Sequence, residues 1–228
     1  MSLTALLVHA ALLARLSAPY PFAVGETLEY DAKLGVFPIG TARMTVNAMT
    51  RERGAEAFVF AAAGQGRPMG ILVGADLTSY VGTRGFTSLR FHRRLYQGGS
   101  VEEAQFQIVG DSSRYRQEGV PHDWATPSKP LDELAFLYYL RTVPLTVGAT
   151  YRIPRYFKTG YNPIQIRVVS RGQWQLPEGR TVPAFSLEIS SRDLLMNVTM
   201  TDDARRLPVM LDLPLPFGRV TLELTRAG

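Results

Sequence analysis

ETLEYDAKLG, residues 26–35, sets the reading of the whole chain. Leu28, Tyr30, Ala32 and Leu34 fall on one side of an extended segment, with Glu29, Asp31 and Lys33 on the other. Successive side chains of a strand point to opposite faces, so this alternation describes a half-buried strand of an antiparallel sheet. The pattern repeats outward. TARMTVNAM (41–49) places Ala42, Met44, Val46 and Ala48 on one face, and AEAFVFAAAG (55–64), TSLRFHRRLYQ (87–97) and VEEAQFQIVG (101–110) follow at short intervals. The second half continues with YRIPRYFK (151–158), IQIRVVSR (164–171), AFSLEIS (184–190), LLMNVTMT (194–201), LPVMLDL (207–213) and RVTLELT (219–225). Turn-forming residues separate them, as in TGYNP (159–163) and LPEGR (176–180), and about a dozen strands are expected.

One segment breaks the period of two. In SKPLDELAFLYYLRTVP (128–144), Leu131, Leu134, Ala135 and Tyr138 fall at helical spacing, while Phe136, Leu137, Tyr139 and Leu140 fill the remaining positions. Asp132 and Glu133 open the segment and Arg141 closes it, which suits the helix dipole, and Pro130 and Pro144 bound it. The spacing predicts one buried helix near 130–142. A sheet of this length curls or closes on itself. The expected fold is therefore mainly β: a single curled antiparallel sheet, a half-barrel, with the helix in its mouth. Such a mouth offers an apolar cavity, and its expected lining is Phe136, Tyr138, Tyr139 and Trp124.

At 228 residues, 46% hydrophobic and 20% charged, the chain suits one β-rich domain over 19–228. The net charge is +5, almost all of it from arginines that are spread along the chain except in RFHRR (90–94). No basic stripe for nucleic acid results. Arg90, Arg93 and Arg94 are instead candidates to meet an anionic membrane surface. Leu3–Leu13 is an apolar run of signal-peptide length, and LSA ending at Ala18 reads as a cleavage site, so residues 1–18 are expected to direct export to the periplasm. No segment reaches transmembrane length.

Candidate chemistry is thin. The chain has no cysteine, which removes thiol nucleophiles, cysteine zinc sites and a lipidated N-terminal cysteine. Outside the leader only His92 and His122 remain, and PHD (121–123) is the single His–carboxylate neighbour pair, short of a metal site. No G-x-S-x-G, G-x-x-x-x-G-K or G-x-G-x-x-G occurs. Asp202 and Asp203 beside Arg205 and Arg206 have the make-up of a carboxylate pair, but adjacent strand residues face opposite ways and neighbouring arginines favour two charged carboxylates over an acid and a base. TDDARR (201–206) reads better as a hairpin turn, with Pro208 opening an edge strand. No catalytic residue, cofactor or metal is expected.

Three segments carry a family resemblance: PFAVGETLEYDAKLGVFPIGTARMTV (21–46), PLDELAFLYYLR (130–141) and TDDARRLPVMLDLPLPFGRVTLEL (201–224). In order and spacing they resemble the bacterial family of unknown function numbered 3108, across roughly Pro21 to Thr225. That resemblance implies an exported envelope protein without an established activity. At the level of fold the pattern is also similar to the LolA/LolB-type lipoprotein carriers. The reading is a non-enzymatic envelope protein that binds a lipid, an acyl chain or a lipidated partner in the concave face. The alternative is an envelope scaffold with a filled core and a binding surface outside, and a hydrolase is a third, weaker reading.

Overall fold

The computed structural model describes residues 20–192, 194–215 and 218–228; the leader expected over 1–18 lies outside the described residues. Eight strands run in chain order: β1 (Thr27–Leu34), β2 (Phe37–Glu52), β3 (Ala55–Gly66), β4 (Val73–Gly82), β5 (Thr87–Gln97), β6 (Ser100–Val109), β7 (Arg114–Gln117) and β8 (Asp123–Ala125). The helix α1 (Glu133–Leu140) follows. Then come β9 (Thr150–Ile153), β10 (Ile164–Gln175), β11 (Thr181–Ser191), β12 (Leu194–Thr201), β13 (Pro208–Leu215) and β14 (Gly218–Ala227).

All fourteen strands form one antiparallel sheet in the order β8-β7-β6-β5-β4-β3-β2-β1-β14-β13-β12-β11-β10-β9. Apart from β8 and β9, consecutive strands therefore lie side by side, and β1 pairs with β14 to join the two halves. The sheet is a curled, unclosed barrel. Its free edges, β8 and β9, are consecutive in the chain, and the segment between them carries α1.

Three details differ from the sequence expectation. The strand number exceeds a dozen because β7 and β8 have only four and three residues, too few for alternation to register. In addition β4, VGADLTSYVG, dilutes its alternation with Gly74, Ala75 and Ser79 and is absent from the expected segments. The helix is eight residues long rather than 130–142. Pro130 and Leu131 are held outside it because Leu131 bridges Tyr156, with Leu131 N–H donating to Arg155 O at 2.6 Å. Asp132, extended at φ −81 and ψ −179, is the N-cap. Finally, β13 is an interior strand between β12 and β14, so Pro208 does not open an edge strand. Its missing N–H is tolerated because it opens the strand opposite a register shift between Thr199 and Met200.

Both ends of α1 are fastened to the sheet by buried polar groups. At the N-terminus Asp132 Oδ1 accepts from Leu134 N (3.0 Å) and Ala135 N (2.9 Å). Ser79 Oγ donates to its Oδ2 at 2.6 Å, and its own N–H donates to Ser88 Oγ at 2.8 Å. Desolvation nevertheless pushes the Asp132 carboxyl up to about 7, against the lowering effect of those bonds. At the C-terminus the buried Arg141 guanidinium donates to Glu26 Oε1 (2.6 Å) and Oε2 (2.9 Å), and to the carbonyls of Pro21 and Arg205 (both 2.9 Å). The fastenings place the helix over the ends of the strands nearest the β4–β5 and β12–β13 turns.

Candidate binding site

Directly opposed residues of an antiparallel pair share a face, so the registers trace rows of side chains across the face that meets the helix. The row nearest α1 is Val46, Phe60, Ser79, Phe91 and Phe106, and every member is buried. The helix fills this zone: Tyr138 stacks on Phe60 with centroids 3.9 Å apart, and Phe22 meets Tyr138, Phe58 and Phe60 edge-on. One step further along the strands, the row is Leu28, Met44, Ala62, Leu77, Arg93 and Ala104. In this row Ala62, Leu77 and Arg93 are only half-buried. The next row, Tyr30, Ala42, Gly64, Ala75, Leu95 and Glu102, carries small side chains in the middle, and from Ala42 to Leu95 it is half-buried throughout.

The helix contributes to the same zone. Leu137 is half-buried, one turn on from the half-buried Glu133, in a helix whose other apolar residues are buried apart from Tyr139. Ala42, Ala62, Leu77, Leu137, Leu213 and Leu222 all pack against the buried cluster while keeping partial access to solvent. The inner face is thus filled beside the helix and open toward the hairpin tips at the far end.

A polar cluster stands on one wall of this open zone. Tyr156 Oη donates to Glu133 Oε1 at 2.7 Å, and Arg93 reaches the same carboxylate at 3.8 Å while binding Glu102 at 2.8 Å. The Lys158 ammonium lies 5.1 Å from the Phe106 ring centroid and 5.3 Å from that of Phe157. Burial lowers the Lys158 pKa, and it raises that of Tyr156 with help from Glu133. The cluster brings two carboxylates and two cations beside apolar surface, a suitable setting for the polar end of an otherwise apolar molecule.

The residues singled out from sequence separate. Phe136 and Tyr138 are buried in the filled zone, and Tyr138 Oη has no hydrogen-bond partner among the described residues. Tyr139 is half-buried against Phe86 and lies under the Arg155 guanidinium at 4.8 Å. Trp124, on the edge strand β8, stacks on Tyr115 and touches His122. The arginines also divide. Arg93 lies in the inner rows, whereas Arg90 and Arg94 face outward. Arg90 binds Glu52 at 3.0 Å and lies over the Tyr80 ring; Arg94 binds Glu103 with two nitrogens, and His92 binds it too. Leu137 and the small residues of the inner rows were missed. Alternation in β2–β4 was the signal that could have found the rows.

Asp203 is a turn residue. Its Oδ1 accepts from Thr201 Oγ1 (2.8 Å), Arg205 N (3.1 Å) and Arg206 N (3.0 Å), while Asp202 binds Arg171 at 2.8 Å. The turn's Arg205 carbonyl then serves the Arg141 clasp. Among the described residues no group of three or more His, Asp or Glu side chains is arranged to hold a metal ion. Two cavities, of 770 and 850 Å3, have mixed linings, the first of Glu29, Asp31, Asp76 and Tyr96 with Tyr30 and Ala42, the second of Arg53, Arg84 and Lys129 with Leu89, Ile108 and Val109. No described helix is long and apolar enough to cross a membrane.

An open, β-barrel-like antiparallel sheet closed at one end by a short helix is the class of fold these features define. The chain belongs to the family of unknown function DUF3108, whose model matches residues 29–225. No curated protein matches it. A solved structure with similar architecture is the β-barrel-like protein of the domain of unknown function DUF1849 from Brucella abortus: TM-score 0.55, 9% identity, covering 90% of this chain and 97% of that one. A protein of YmcC-like fold from Bacteroides fragilis aligns over 92% of this chain and 98% of its own, with 11% identity and a TM-score of 0.32.

Proposed function

We propose that this protein is a non-enzymatic envelope protein that binds the apolar part of a lipid-like molecule on the open half of its inner face. The observation that carries this reading is the change along the inner rows. Beside the helix the sheet is packed with fully buried aromatic side chains, and one to two rows further on it presents half-buried Ala42, Ala62 and Leu77, with the half-buried Leu137 of the helix nearby. Continuous half-exposed apolar surface is the kind that a ligand covers. The absence of any catalytic constellation in the sequence motifs fits binding rather than turnover, and the apolar leader expected over 1–18 fits an exported protein.

The test is native mass spectrometry of protein purified under mild conditions, followed by titration with an environment-sensitive apolar dye. Wild type is expected to carry a lipid or to bind the dye at one site. Ala62→Trp, which fills the open zone, and Leu77→Gln, which makes it polar, are each expected to weaken dye binding tenfold or more. Wild type that neither retains lipid nor binds dye overturns the reading, as do variants that bind the dye as well as wild type does.

A further inference from the structure

The two ends of the strands differ in what their turns present to water. Because consecutive strands, apart from β8 and β9, lie side by side, alternate hairpin tips line up along one end of the sheet. At the open end, five consecutive tips carry exposed large apolar side chains. These are Val101 just after the β5–β6 turn, Met69 and Ile71 between β3 and β4, and Val36 and Phe37 at the β1–β2 turn. Leu215 before the β13–β14 turn and Leu194 and Leu195 after the β11–β12 turn complete the row. Met69 is 86% exposed, Val36 83% and Phe37 71%. At the opposite end, the turns are RG (53–54), TRGF (83–86), GDSS (110–113), LPEGR (176–180) and DDARRL (202–207). Their large apolar residues Phe86, Leu176 and Leu207 are buried, and the exposed ones at that end, Val24, Val109 and Val147, are single valines outside any row of adjacent tips.

Turns ordinarily favour polar residues, so a run of five adjacent apolar tips calls for a partner that covers them. The charges at that end narrow the choice. Arg67 and Arg219 stand exposed in these tips, and Asp193, beside Arg192, is the one acidic residue that the sequence places in these turns. Arg219 is tied to Asp212 at 3.0 Å, but Arg67 is free to reach outward beside Met69. Separate apolar tips flanked by arginine match an anionic bilayer surface, where apolar groups enter the headgroup boundary and each basic residue adds about 1 kcal/mol, roughly fivefold in affinity.

We infer that the apolar hairpin tips at the open end dock this protein on an anionic membrane surface, with the open half of the inner face toward the lipid. Only that orientation rests on the proposed function; the docking itself rests on the tips.

Co-sedimentation with phosphatidylethanolamine–phosphatidylglycerol vesicles, against phosphatidylcholine vesicles, tests the inference. Wild type is expected to sediment with the anionic vesicles, less so at high salt. Phe37→Asp combined with Met69→Asp is expected to weaken binding at least tenfold, and Arg67→Ala about fivefold. Arg84→Ala, at the opposite end, is expected to bind as wild type. The inference is overturned if wild type does not sediment, if the double variant sediments as wild type does, or if Arg84→Ala loses as much as Arg67→Ala. It is also overturned if the double variant instead splits a dimer seen by light scattering, since a second copy is then the occupant. Because the tip substitutions lie outside the inner rows, lipid or dye binding by the double variant reports separately on the proposed function.

Discussion

Arg141 and Glu26 stand 115 residues apart in the chain and meet through two hydrogen bonds of 2.6 and 2.9 Å, with the arginine side chain wholly buried. The pair joins the end of α1 to the start of β1, next to the seam where β1 meets β14. Two further carbonyls, of Pro21 and Arg205, accept from the same guanidinium, which lies 5.2 Å from the Phe22 ring centroid while its Nε has no partner among the described residues. Removing one member of a buried pair leaves an uncompensated charge and costs about 3–5 kcal/mol. Arg141→Met is therefore expected to lower stability by about that amount in urea denaturation, and adding Glu26→Gln is expected to restore part of it. An Arg141→Met protein within about 1 kcal/mol of wild type contradicts this role.

The other end of the helix gives a pH dependence. Asp132 has its folded pKa raised to about 7 from 3.8. Between these values the folded protein holds a proton that the unfolded chain has released, so stability falls as pH rises. The contribution is complete below about pH 4 and is lost as pH passes through about 7. Asp132→Asn keeps a cap acceptor and cannot ionise. The stability of the Asn variant relative to wild type is expected to rise with pH across this window, by at most about 1.4 kcal/mol per unit. A difference that is flat from pH 4 to 8 contradicts the burial of that carboxyl.

Two buried tyrosines make a contrasting pair. Tyr30 Oη donates to Pro208 O at 2.9 Å, whereas Tyr138 Oη has no partner among the described residues. Tyr30→Phe is expected to cost about 1 kcal/mol, and Tyr138→Phe to leave thermal stability unchanged or slightly raised. Tyr138→Ala, which removes the ring stacked on Phe60, is expected to cost about 3–5 kcal/mol. The ordering of the three melting temperatures checks this, and a Tyr138→Phe protein less stable than Tyr30→Phe contradicts it.

Most of the long strands were legible in the sequence because their alternation is local; β4, with Ala75 and Ser79 on its inner side, was not. Leu28, Tyr30 and Ala32 are buried, with Glu29 and Asp31 turned outward, as ETLEYDAKLG implies. The same rule separates Arg93, on the face of Phe91, from Arg90 and Arg94; grouping the three by proximity in the chain overlooked it. The start of the helix was misjudged because Pro130 looks like a boundary. The boundary is set instead by contacts with Ser79, Ser88 and Arg155, which are distant in sequence. The apolar tips were invisible for a different reason. Val36 and Met69 become significant only when the topology lines up their turns at one end of the sheet.

In the proposed function an apolar chain lies on the inner face and not elsewhere on the sheet. Neighbouring strand positions test it directly, because Leu77 faces the inner rows and Thr78 faces outward, paired with His92. A single tryptophan is introduced as Leu77→Trp or Thr78→Trp, with Trp124 and Trp174 replaced by Phe, and its fluorescence is followed while a brominated fatty acid is added. Saturable quenching in the Leu77→Trp protein, with none in the Thr78→Trp protein, is the expected result. Quenching that is absent from the Leu77→Trp protein, or equal at both positions, contradicts the account.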